Sequence, residues 1–300
     1  MNAKIKGSIC GVVAAITYGL NPLGALNLYS VGINVDSVMF YRYGLATILL
    51  AGIIGLQKKS FKIARRELLI CIFLGVTFAI ASLTLFTSFY YMDAGIACTI
   101  FFVYPVMVAI IMSVFFKERI TVLASLCILL AMVGVGLLYH GGDGMLLSTK
   151  GVLLVMLSAL AYAIYIITIN KSGLHLPPVT LTFFVMLFGV VTITLHSFTR
   201  TEYHLQLLTT LWQWQWVVML AIVPTVISLV LIVVAIKNIG SVPTSIMGAL
   251  EPITAVLIGV TIFEETFTLR IAFGMLLILV AVSLIIIEKP LINRLLKNRS

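Results

Sequence analysis

The sequence predicts an all-α integral membrane protein: ten transmembrane helices in two inverted five-helix repeats. Three observations predict it. Of the 300 residues, 62% are hydrophobic and only 10% are charged, with a mean hydropathy of +1.20. A soluble globular chain is nearer half apolar and a quarter charged. Ten apolar runs follow one another, each long enough to cross a bilayer at about 1.5 Å of rise per residue. The chain also repeats itself at an offset of about 147 residues.

The expected spans are 5–28, 37–57, 67–91, 94–116, 121–139, 151–170, 178–199, 214–236, 241–263 and 268–287. Lys4 and Lys6 precede the first run, which exceeds a signal-peptide core and is expected to stay as an uncleaved span. The loops are short and leave no room for a separate soluble domain. The longest, 200–213, carries Tyr203 and Trp212, with Trp214 following, residues suited to a membrane–water interface.

Subtracting 147 places Glu251-Pro252 on Tyr104-Pro105, Glu265 on Glu118 and Thr268 on Thr121. Near the start of each half, Lys6-Gly7, Ala15 and Tyr18 match Lys150-Gly151, Ala159 and Tyr162 at an offset of 144. Residues 1–148 and 149–300 are therefore two halves of similar layout. Five spans per half is an odd number, so the second half must enter the membrane the opposite way. Such an inversion maps midplane positions onto midplane positions, and Pro105 and Pro252 both lie about halfway along their spans.

Charge sets the orientation. One side collects Lys4, Lys6, Lys58, Lys59, Lys62, Arg65, Arg66, Lys117, Arg119, Lys171, Lys237, Lys289, Arg294, Lys297 and Arg299, which is 15 residues. The other has Lys150, Arg200 and Arg270, together with Asp36, Asp93, Asp143, Glu202, Glu264 and Glu265. The positive-inside rule puts both termini in the cytoplasm of a cell whose inner membrane holds the protein. The net charge of +9 does not signal nucleic acid, because the basic residues sit in short loops where they set topology.

The stretch with the most chemistry is Met247 to Ile253. Glu251 is the eleventh residue of its run and lies near the midplane. A carboxylate there is costly, roughly 2.5–3.5 kcal/mol for comparable charges, so it is protonated, partnered or facing water. Pro252 cannot donate a backbone hydrogen bond and is expected to free the carbonyl of Gly248. Gly248 has no side chain and admits a close approach to the backbone. Three roles stay open for Glu251: gripping a cationic group, carrying a coupling proton, or cross-linking helices.

Arg42 lies about one and a half turns into the second span. It either snorkels to the interface or faces a cavity, where it would hold a substrate carboxylate. Tyr18, Asn21 and Pro22 make a polar, kinkable point in the first span, and Tyr162 with Tyr165 repeats that region. Phe101, Phe102 and Tyr104 either line an aromatic cavity or pack helices. The expected binding set is Glu251, Tyr104, Tyr18, Asn21, Arg42, Tyr162 and Phe101, with helix breaks at Pro105, Pro252 and Gly248.

Ser82, Thr84, Thr87, Ser88 and Tyr91 make the third span partly polar, but hydroxyls in membrane helices mostly bond their own backbone. Cys10, Cys71, Cys98 and Cys127 lie in apolar segments without metal spacing and read as small packing residues. His140, His175, His196 and His204 sit in loops or at span ends and pair with no carboxylate at metal spacing, so no metal or other cofactor is expected. Gly141-Gly142-Asp143-Gly144 is a turn, not a phosphate loop.

These features resemble the EamA family of the drug/metabolite transporter superfamily. The carrying residues are the prolines at Tyr104-Pro105 and Glu251-Pro252, the glutamates at Lys117-Glu118-Arg119 and Glu264-Glu265-Thr266, and Arg42 within Tyr41-Arg42-Tyr43. The family's usual small residue before that glutamate is Lys117 in one half and Glu264 in the other. The resemblance implies a ten-helix carrier with a central cavity that exports an amino acid or related small metabolite by alternating access. The partners it implies are the small-molecule substrate and the lipid bilayer, with the protein a monomer or weak homodimer. A lipid-translocating protein is the alternative, followed by a membrane-embedded enzyme, which would need clustered His, Asp or Glu near the interface.

Overall fold

The structure is a computed structural model. It describes residues 3–58, 60–92, 94–118, 120–138, 148–199, 205–262 and 268–297. Asp93, Arg119, His140, the 141–144 turn, Arg200, Glu202, Tyr203, His204 and the Glu264-Glu265-Thr266 segment lie outside the described residues.

All regular structure among the described residues is helical. The first half comprises α1 (Ala3–Tyr18), α2 (Asn21–Tyr29), α3 (Val35–Leu56), α4 (Arg65–Ser88), α5 (Ala94–Phe101), α6 (Tyr104–Phe116) and α7 (Val122–Leu138). The second comprises α8 (Thr149–Lys171), α9 (Pro178–Thr199), α10 (Leu211–Ala221), a π-helical turn (Ile222–Ile227), α11 (Ser228–Ile239), α12 (Ser241–Met247), α13 (Leu250–Ile262) and α14 (Leu269–Lys297). Six stretches are long and apolar enough to cross a membrane: Ala3–Tyr29, Val35–Leu56, Arg65–Ser88, Thr149–Lys171, Pro178–Thr199 and Leu211–Ile239. Shorter apolar helices cover Tyr104–Phe116, Val122–Leu137 and Ala272–Leu284.

Local chemistry starts and stops these helices. Asn34 caps α3 by accepting from Ser37 N at 2.8 Å. Thr210 and Gln213 satisfy each other's backbone N–H groups at the start of α10. Gly240, at φ +92, separates α11 from α12 in a conformation that glycine adopts without strain.

The most extensive pairings are α7 with α14, α4 with α8, α1 with α11, and α3 with α9. The surface is apolar and the interior holds the polar groups. Ile48, Leu69, Leu153 and Leu195 are each more than 60% exposed, while Arg42, Asn21 and Glu251 are buried. Burial of polar side chains behind an apolar exterior is the arrangement that lipid favours. Cys71 and Cys127 are buried, whereas Cys10 and Cys98 are only partly so.

Candidate functional site

Three helices break where they meet. α1 gives way to α2 at Gly19-Leu20, just before Pro22. α5 gives way to α6 at Phe102-Val103, just before Pro105. α12 gives way to α13 at Gly248-Ala249, just before Pro252. Each proline sits in the first turn of the following helix, where an N–H would have no partner within that helix.

One expectation about these breaks is corrected. The Gly248 carbonyl is not free, because it accepts from Glu251 N at 2.9 Å. Gly248 N donates to Ser245 O and Ala249 N to Ile246 O, each at 3.1 Å, so the chain tightens into i→i−3 turns and keeps its bonds.

The breaks touch one another. A Cβ on Gly19 would lie 2.7 Å from the Glu251 carbonyl oxygen, so the first break packs directly on the third. The Tyr104 hydroxyl fills the space beside Gly248. Around this contact the rings assemble on Tyr162, which is fully buried. Its neighbours are Tyr104 at 4.9 Å, Phe101 at 5.4 Å, Tyr165 at 6.0 Å, Tyr18 at 6.1 Å and Phe78 at 6.3 Å between centroids.

Arg42 is fully buried and does not snorkel. Its Nε donates to Thr225 Oγ1 at 2.6 Å. Pro224 explains why Thr225 is there: it has no N–H to offer the Leu220 carbonyl one turn back. Thr225 Oγ1 donates to that carbonyl at 2.7 Å and accepts from Arg42 at the same time. The guanidinium carbon stands 5.7 Å from the Tyr43 ring and 5.3 Å from the Phe86 ring. Tyr43 stacks on Phe78, which links Arg42 through rings to Tyr162.

Several polar groups in this region have no partner within the described protein. They are Arg42 Nη1 and Nη2, both polar atoms of the Asn21 side chain, and the hydroxyls of Tyr162 and Tyr165. Among the described residues no ion pair joins Arg42 to Glu251. Each unsatisfied buried group costs about 1–3 kcal/mol.

The expected binding residues Tyr18, Phe101, Tyr104, Tyr162 and Glu251 come together here. Arg42 stands to one side, joined to the cluster through the rings of Tyr43 and Phe78. Asn21 opens α2 one turn beyond Tyr18. Sequence reasoning missed Thr225 and Phe78; Pro224 was the available signal for the first. It also gave no partner to His196, which meets Asp36 at 2.7 Å, 160 residues away in the chain. In α4, Thr84 and Ser88 bond their own helix as expected, but Ser82 accepts from the Tyr43 hydroxyl.

The family model for EamA-like transporters matches residues 5–140 and again 149–287. The chain belongs to the EamA-like transporter family. It is a multi-pass membrane protein. An uncharacterized transporter from Archaeoglobus fulgidus is 27% identical over 190 residues, which cover 63% of this chain and 66% of that protein, just under two thirds of its length. A solved crystal structure superposes with a TM-score of 0.77 at 13% identity, over 93% of this chain and 95% of the other. That likeness establishes a shared fold and nothing about cargo.

Proposed function

We propose that this EamA-family chain is a secondary transporter for a small metabolite, an amino acid or related compound. It exports that cargo across the inner membrane by alternating access about Glu251. The observation that carries the reading is the meeting of three broken helices at Glu251, Gly19 and Tyr104, ringed by aromatic residues and unsatisfied polar groups. Broken helices at mid-membrane expose backbone and side-chain groups to a cargo and give each half a place to flex. Glu251 would grip a cationic group or carry a coupling proton, and Arg42 would hold a carboxylate.

Ten spans follow when α1–α2, α5–α6, α10–α11 and α12–α13 each count as one broken span. The halves 1–148 and 149–300 are then inverted repeats. The helix pairings support this: exchanging the halves turns the α1–α11 pair into the α4–α8 pair and leaves α3–α9 and α7–α14 unchanged. The double match of the family model supports it too. Both termini lie in the cytoplasm, and the protein works as a monomer or weak homodimer. A cytoplasm-only reporter fused after Lys62 or Ser300 should be active, and one after Asp143 silent; the opposite pattern at either place removes the inverted arrangement.

The test of function is metabolite profiling of growth medium from cells lacking or overproducing the protein. Overproduction should raise, and deletion lower, one small polar metabolite outside the cell. An unchanged medium with altered leaflet composition of lipids would replace this reading with lipid translocation.

A further inference from the structure

A cavity lies away from Glu251. It holds about 380 Å³ and is bounded by the end of α6, the start of α7, the end of α8 and the α11–α12 junction. Both halves line it: Glu118 and Thr121 from the first, Asn170, Lys237, Asn238 and Ser241 from the second. Ser241 precedes Glu251 by ten residues, about 15 Å along a helix. The volume falls within the range of about 300–1,000 Å³ typical of small-molecule sites.

Its charges are unbalanced. Glu118 is neutralised by its ion pair with Lys171. Lys237 Nζ donates to the carbonyls of Leu174 at 3.0 Å and Leu176 at 2.6 Å, which fixes the ammonium and uses two of its three donors. No carboxylate among the described residues forms an ion pair with it. Ser241 is 2% exposed, lines the cavity, and its hydroxyl has no partner. A held cation beside an unsatisfied hydroxyl in a cavity of this size suits an anionic group with a few heavy atoms attached.

We propose that this cavity is a binding site distinct from Glu251, and that it takes a small solute by an anionic group, on Lys237 and Ser241. The proposal does not depend on what Glu251 does, and its test does not require transport.

The test places Ser241→Cys in a full-length background in which Cys10, Cys71, Cys98 and Cys127 are replaced by alanine. Two thiol reagents of similar size are compared, an anionic sulfonatoethyl and a cationic trimethylammonioethyl methanethiosulfonate. Relative to their ratio on a free thiol, the anionic reagent should react about tenfold faster, as expected for a nearby unit charge in a partly shielded site. Lys237→Gln should abolish that preference; where that variant does not fold, Asn170→Asp should do the same by adding a negative charge. Succinate or inorganic phosphate should slow labelling saturably, against sodium chloride at equal ionic strength, and their relative potency separates a carboxylate from a phosphate ligand. Failure of both reagents to react, a preference for the cation, indifference to both variants, or absence of protection by either anion overturns the proposal.

Discussion

Tyr104 and Gly248 fit together across the boundary between the two halves: a Cβ on Gly248 would lie 1.6 Å from the Tyr104 hydroxyl oxygen. The two positions belong to the corresponding broken helices of each half. Gly248 is therefore small because a tyrosine from the other half occupies its side-chain space. Gly248→Ala should destabilise the protein by about 1–3 kcal/mol through overpacking. The unfolding midpoint in detergent reads it. Tyr104→Phe in the same chain should recover part of the loss, though the ring carbon that carries the hydroxyl would still lie 2.9 Å away. Strictly additive effects would mean that the two residues do not share this space.

Arg42 is held by a geometry that lysine does not reproduce. Its Nε is bound to Thr225, leaving both terminal nitrogens free for an anion. Arg42→Lys keeps the charge and loses the fork. Transport should fall at least about tenfold in kcat/KM, with most of the change in KM if the arginine holds cargo. Thr225→Val removes the acceptor and should weaken transport in the same direction. Equal transport by Arg42→Lys and wild type would make Arg42 a packing residue.

Two ion pairs join the halves at opposite ends. Asp36 meets His196 at one end, and Glu118 meets Lys171 at the other. Asp36 is buried, whereas the Glu118–Lys171 pair is partly exposed and contributes only about 0–1 kcal/mol to stability. A transporter's two open states differ by little more, so such pairs are able to bias them. Lys171→Gln should raise the labelling of cysteines near Glu118, and His196→Gln should raise labelling near Asp36. No change in labelling at either end would leave the pairs without a gating role.

The helix breaks were legible because proline marks them and the 147-residue offset pairs them. The aromatic cluster was partly legible: Tyr18 and Tyr162 share an offset, and Phe101 and Tyr104 adjoin a proline. Phe78 carried no signal, since an apolar ring in an apolar span looks like any other. Thr225 was hidden for a different reason. Its role depends on Pro224 widening the helix into a π turn and leaving the Leu220 carbonyl to a hydroxyl. Sequence shows the proline but not which way the helix yields. The fate of the Gly248 carbonyl was misjudged on the same ground, because a tightened turn satisfied it. Asp36 and His196 meet only because α3 packs on α9, a fact of tertiary structure.

Pro105 is the second residue of α6, after Tyr104, whose hydroxyl packs against Gly248 of the other half. Pro105→Ala permits an additional backbone bond across the break and should stiffen it. Expression and unfolding midpoint should stay near wild type while turnover in liposomes falls several-fold. Normal turnover would make the break a packing feature.

Glu251 separates three mechanisms in one experiment. Its carboxyl is buried, and its backbone touches Gly19 of the first break. Among the described residues no basic side chain forms an ion pair with it. Glu251→Gln preserves size and hydrogen bonding but removes the charge and the exchangeable proton. If Glu251 carries a coupling proton, net gradient-driven flux should stop while exchange of labelled cargo across the membrane continues, because exchange needs no net proton movement. If it grips a cationic group, flux and exchange should fail together, since the loaded state itself is lost. If it only cross-links α1 and α13, both should persist in folded protein and the loss should appear in the detergent unfolding midpoint. Net flux and counterflow are measured in liposomes at matched reconstituted protein.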